Sequence, residues 1–179
     1  MFDFMFLFFI IFFAFPSMAF SFSNDEYVIA RKAIAKVESG GNVCAQNPYT
    51  SASGKYQFMK AWNPYFQKKY GKTWASVVPK CTATTSVKKK MEIHQDKMFD
   101  IYFKNMVEPF IEDVRTRKLA ENMSDLELLA IYHRQGERGA YLFLKNGKDP
   151  YKDIAKNGHV SKHIARVVKA SKQSIIASK

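Results

Sequence analysis

From residue 24 onward, apolar residues in this chain recur at three- and four-residue intervals, and two-residue alternation is scarce. That period admits amphipathic helices and leaves little material for a sheet. Tyr27, Ala30, Ile34 and Val37 mark a first helix, which Asn24 can cap and Gly40-Gly41 stop. Asn63-Pro64 opens a short helix that ends at Gly71. Thr85 or Ser86 opens a long one, with Val87, Met91, His94, Met98 and Ile101 as its apolar stripe; Glu108-Pro109 marks its end. Phe110, Ile111 and Val114 suggest another short helix, and Ser124 to Glu127 forms a capping box before Leu128 to Tyr132. Gly136 and Gly139 bracket a turn before a helix over Ala140 to Leu144. A last helix starts near Ser161 and uses Ile164, Val167, Val168 and Ile175. The expected fold is all-α, a single domain over residues 24–179, with Thr73 to Val78 as a possible minor extended segment.

The stretch Phe4 to Phe15 is wholly apolar and closes at Pro16. It is shorter than the ~20 residues that span a bilayer. With the small residues of Ser17-Met18-Ala19 it reads as a secretory signal over 1–19, cleaved after Ala19, with Ser21 as second choice. The segment before it holds Asp3 and no Lys or Arg, so an uncleaved anchor stays open as the alternative. Export gives meaning to the two cysteines, Cys44 and Cys81: they are expected to form a disulfide enclosing Ser53 to Phe58. Two buried free thiols are the other reading. The net charge of +12 suits an anionic wall polymer or a membrane surface, and export places nucleic acid last. Runs such as Lys88-Lys89-Lys90 read first as solvated faces.

Glu38 ends the first helical stripe, four residues after Ile34, and Ser39-Gly40-Gly41-Asn42 follows at once. A carboxyl group there sits at the negative end of the helix dipole and at the edge of the core. Both raise its pKa, as a general acid near neutral pH requires. An exposed glutamate at a frayed helix end is the plain alternative. Ser53-Gly54 permits a tight turn. Tyr56 and Gln57 then offer a flat apolar surface and an amide, the mixture that a pyranose ring with an N-acetyl group demands. Phe58 and Trp62 read as core. Tyr132 ends an apolar run before Gly136 and is either a cleft-facing hydroxyl or a buried tyrosine. His159 and His163 stand one helical turn apart, but flanking lysines and the lack of a nearby third ligand argue against a metal site; His94 reads as a core histidine.

The order Glu38-Ser39-Gly40-Gly41-Asn42, Ala52-Ser53-Gly54-Lys55-Tyr56-Gln57-Phe58, then Ala130-Ile131-Tyr132 resembles the soluble lytic transglycosylases of the lysozyme-like superfamily. That family shows Glu-Ser, Gly-x-x-Gln and Ala-Tyr-Asn in this order, and the resemblance spans Asn24 to Leu144. The Gly-Lys-Tyr-Gln-Phe form looks like that of transglycosylases associated with secretion systems or phage. Two departures stand out. His133 replaces the asparagine that follows the tyrosine, and Arg134 to Arg138 replaces a small, proline-containing turn.

The resemblance implies a lysozyme-like fold and cleavage of the β-1,4 bond between N-acetylmuramic acid and N-acetylglucosamine. Glu38 would act first as acid and then as base, and a 1,6-anhydro ring would form. Gln57 and Tyr132 would position the sugar, Ser39 would hydrogen-bond near Glu38, and Ser53, Gly54 and Tyr56 would complete the binding loop. No cofactor and no metal are implied. The partners would be peptidoglycan strands and, as the resemblance allows, a secretion-system or phage-type assembly, with a monomer in the periplasm or outside the cell. A hydrolytic lysozyme, with Asp96, Asp100 or Glu108 as a second carboxylate, is the nearest alternative. A non-catalytic wall-binding or secretion-assembly protein of the same fold is the other.

Overall fold

The structure, a computed structural model, describes residues 22–146 and 160–177. The chain is all-α: α1 (Asn24–Ser39), α2 (Asn63–Tyr70), α3 (Thr85–Tyr102), α4 (Glu108–Thr116), α5 (Asp125–Asn146) and α6 (Val160–Ala177). Among the described residues, no helix is long and apolar enough to cross a membrane. The expected signal segment and His159 lie outside the described residues.

Local chemistry explains the helix ends. Ser23, not Asn24, caps α1. Its hydroxyl accepts the Glu26 N–H, and the Glu26 carboxylate accepts the Ser23 N–H at 2.9 Å. Gly40 ends α1 with φ +67°, and the N–H groups of Gly40 and Gly41 satisfy the carbonyls of Lys36 and Ala35. Asn63-Pro64 and Gly71 bound α2 as their residue types predict. Ser124 and Glu127 form the expected box ahead of α5.

Four further expectations shift. The buried face of α3 carries Gln95, Met98, Phe99 and Tyr102, while Val87 is exposed. Thr84 caps that helix, one residue before the expected start. The chain does not break at Glu108-Pro109. A π-helical turn over Phe103–Val107 leads directly into α4, and Pro109, which has no N–H to donate, follows that wider turn. The extended pairing lies at Gln46, Ser53 and Phe58, whereas Thr73 to Val78 holds a short 3-10 turn, Ala75–Val77.

The core centres on Phe58. Its ring meets Trp62, Phe66, Trp74 and Tyr102 edge-on, at centroid distances between 4.9 and 5.7 Å. The loop over 53–58 is thereby seated among α2, α3 and α5. Burying a ring of that kind contributes roughly 2–3 kcal/mol. Cys44 and Cys81 form the expected disulfide. Gln95 fastens the same region from α3: its Oε1 accepts the Lys55 N–H at 2.7 Å, and its Nε2 donates to Val43 O at 2.9 Å and Val77 O at 2.8 Å. Helix α6 packs along α1 and against α5.

Candidate functional site

Glu38 lies at the last turn of α1, with its side chain only 13 % exposed. Burial pushes its carboxyl up to about 7, and the positive charges of Arg134 and Arg166 only partly oppose that. A carboxyl group in this state holds its proton through much of the neutral range.

Two histidines face the same oxygen of Glu38. His133 Nε2 stands 3.9 Å from Oε1 and His163 Nε2 stands 3.6 Å from it. Burial depresses both rings, His133 to about 4 and His163 to about 3, so both are neutral near pH 7 and neither contact is an ion pair there. His133 Nε2 lies 3.0 Å from the Tyr56 carbonyl oxygen, so it carries the proton and donates it there. His133 is thus bonded to the loop and stands beside the acid. Ser39 makes a second link: its hydroxyl donates to Lys55 O at 2.7 Å, and no hydrogen bond joins it to Glu38 among the described residues.

Those two bonds hold the loop backbone at residues 55 and 56 beside the end of α1. Within the loop, Gln57 adopts a left-handed φ of +53°, and its backbone N–H and its side-chain Nε2 both donate to Gly54 O. A non-glycine residue in that region costs about 1–2 kcal/mol, so the two bonds fix an unfavourable turn. Gly54 has φ +72°, as the tight turn requires. Its bare side faces inward, where a Cβ would come within 2.8 Å of Trp74 and 2.9 Å of Gln95. That glycine serves packing rather than approach to a ligand. Ser53 is buried, with its N–H bonded to Phe58 O and its carbonyl accepting Trp74 Nε1–H at 3.0 Å.

Tyr56 differs from expectation. Its side chain is fully buried, stacked on Phe99 at 4.3 Å, with its hydroxyl donating to Asp96 at 2.6 Å. It offers no face to a sugar; the motif tyrosine is a tether to α3. The alternating pattern of a loop cannot say which side of the chain meets the core. Tyr132 is also buried, packed on Phe110 and Tyr102. Its hydroxyl is pushed up to about 12 by burial. Tyr102, which sequence reasoning missed, is raised further by burial, with both Tyr132 and Glu38 adding to the effect. Tyr102 thus lies close enough to Tyr132 and to Glu38 to feel both.

Two of the three carboxylates that a two-acid mechanism could draw on are engaged elsewhere. Asp96 takes the Tyr56 hydroxyl and Lys55 Nζ at 2.9 Å, and Asp100 is bonded to Tyr27 and Arg31. Glu108 is half-buried and its pKa is raised by burial. His94 is half-buried against Tyr70, whose hydroxyl lies 2.6 Å from Nδ1. Among the described residues no group of three or more His, Cys, Asp or Glu is arranged to hold a metal ion. An apolar groove of about 730 Å³ lies between α5 and α6, walled by Phe143, Ile164 and Val168 with Lys169 and Lys172 beside them. Glu38 is not in it, and its own acid, Glu127, is committed to the Ser124 capping box. Set against protein-family models, curated proteins and solved structures, the chain matches none of them.

Proposed function

We propose that this protein is a peptidoglycan lytic transglycosylase, with Glu38 as its one acid–base group. The observation that carries the reading is a carboxyl group buried at a helix end, beside a pinned glycine–glutamine loop; that burial pushes its pKa up to about 7. Protonated Glu38 would give its proton to the bridging oxygen between N-acetylmuramic acid and N-acetylglucosamine. The substrate's N-acetyl group would stabilise the cationic centre. The carboxylate left behind would then remove the proton of the muramic C6 hydroxyl as that oxygen closes the 1,6-anhydro ring. Such a cycle returns Glu38 to its starting state and needs no second carboxylate, unlike the usual pair in glycosidases. The engagement of Asp96 and Asp100 in their own hydrogen bonds favours this cycle over hydrolysis.

Gln57 remains the residue proposed to position the sugar, whereas Tyr132, buried like Tyr56, offers it no face, and the +12 charge suits attraction to acidic wall peptides. The disulfide fits a periplasmic or secreted protein, since such bonds persist in oxidising compartments. Work on the wall in the service of a secretion or phage-type assembly belongs to the same proposal. Replacing Glu38 by Gln removes the proton while keeping the shape. Release of soluble fragments from purified sacculi should fall by roughly 10²–10⁴-fold. Lysis at the native rate by the folded variant would refute the assignment.

A further inference from the structure

His163 Nε2 is buried with no hydrogen-bond partner, on a side chain 7 % exposed, and it faces Glu38 Oε1 at 3.6 Å. A buried polar atom left unsatisfied is uncommon in a folded protein and calls for a cause. His133 Nδ1 is likewise buried without a partner, and its Nε2 does not serve the acid. It stands farther off, and its Nε2–H is spent on Tyr56 O. The helix that carries His163 is fastened to the same end of α1. Arg166 Nη2 donates to Val37 O at 3.1 Å, and Lys36 Nζ donates to Gln173 Oε1 at 3.0 Å. The imidazole is therefore fixed over the carboxyl group, a few tenths of an ångström beyond hydrogen-bond length.

We infer that His163 is a positioning residue: its Nε2–H donates to Glu38 Oε1 in the working site, so that the transferable proton resides on Oε2, the oxygen left for the glycan. This inference rests on the function proposed above. A neutral imidazole suits the task. It marks one oxygen as acceptor without adding a charge that would ionise the acid. It also steadies the carboxylate formed midway through the reaction. The other groups facing Glu38 are His133 and Arg134 from α5, Arg166 from α6 and Tyr102 from α3. The two arginines act as fixed charges, Tyr102 is held neutral by burial, and His133 has a committed proton. The hydrogen bond to the acid thus falls to His163.

The test compares two substitutions that both fill the space. His163→Leu keeps the site dry and removes the donor; His163→Gln restores a donor. Carboxyl-labelled glutamate, read by NMR against pH, reports the Glu38 midpoint directly. In the leucine variant the carboxylate loses its donor, and the midpoint should rise by about one pH unit or more. Lysis of sacculi should fall at least tenfold. In the glutamine variant the midpoint should stay near the native one, with lysis within a few-fold. If the leucine chain does not fold, His163→Met makes the same comparison. Equal midpoints in the native and leucine proteins, or glutamine as impaired as leucine, would overturn the inference. The titration reads the bond whatever the substrate is, so a native protein inert on sacculi would sink the proposed function and leave this test standing.

Discussion

Replacing Gln95 by Leu should be among the most damaging single changes in the core. Leucine fills much of the same volume, so the cavity contribution is small and the loss is one of hydrogen bonds. The Gln95 amide is fully buried, and it serves Lys55 N–H, Val43 O and Val77 O at once. Each of these backbone groups would then be left unsatisfied, at about 1–3 kcal/mol apiece. Lys55 N–H, being only part-buried, would recover some of its share from water. The expected loss is roughly 3–6 kcal/mol, a large fraction of the 5–15 kcal/mol typical of a folded domain. Urea denaturation should show the midpoint falling with its slope unchanged. A melting temperature lower by roughly 10–20 °C should accompany it. The site should suffer too, because Lys55 O, on the same residue, accepts the Ser39 hydroxyl that pins the loop to α1. Gln95→Glu makes a useful partner. It keeps the acceptor for Lys55 but turns an oxygen toward two carbonyl oxygens, so it should not rescue stability. A leucine variant within about 1 kcal/mol of native would refute the idea that this amide ties the three segments together.

Stability should also report the ionisation of Glu38. Its pKa is near 7 in the folded chain and 4.5 as the ordinary value, so the folded state binds that proton more tightly. The contribution is fully present below pH 4.5 and is lost as pH rises through 7, amounting to roughly 3 kcal/mol. His133 and His163 act in the opposite sense, their folded pKa values being lowered, and they cost stability as pH falls below 6.5. Comparing native protein with Glu38→Gln in the same buffers isolates Glu38: the variant should be relatively more stable at pH 8 than at pH 4, and a gap independent of pH would contradict the burial argument. Replacing Cys44 and Cys81 together by Ser frees a loop with a sequence separation of 37, worth about 4 kcal/mol of chain entropy, and denaturation of the folded variant should show a loss of that order.

Much of the fold was legible because its signals are local. The Ser124 box, Asn63-Pro64, Gly71 and Gly40 act within a turn of their own positions, and each bounds a helix where its chemistry predicts. The errors have equally specific causes. The stripe read on α3 followed Val87 and Ile101, but the core recruits Gln95 and Tyr102 because an amide was needed to join loops far apart in sequence. Gly136 breaks α5 with φ +65°, as a turn glycine can, whereas Gly139 stays helical. In the candidate site, the burial of Glu38 was legible from its place at the edge of a stripe. Tyr56 was assigned to the wrong side because nothing local announces its bond to Asp96. His163 precedes Ile164 on an apolar helix face, which signals burial; its closeness to Glu38 on the first helix leaves no trace in spacing.

The chemistry of the new chain ends decides the account most directly. Mass spectrometry of fragments released from sacculi by the native protein should find muramic termini lacking one water, the 1,6-anhydro product of a single acid–base group. Termini that carry the full water of a reducing sugar would mean that water, not the C6 hydroxyl, is the acceptor, and the single-carboxyl cycle assigned to Glu38 would be wrong.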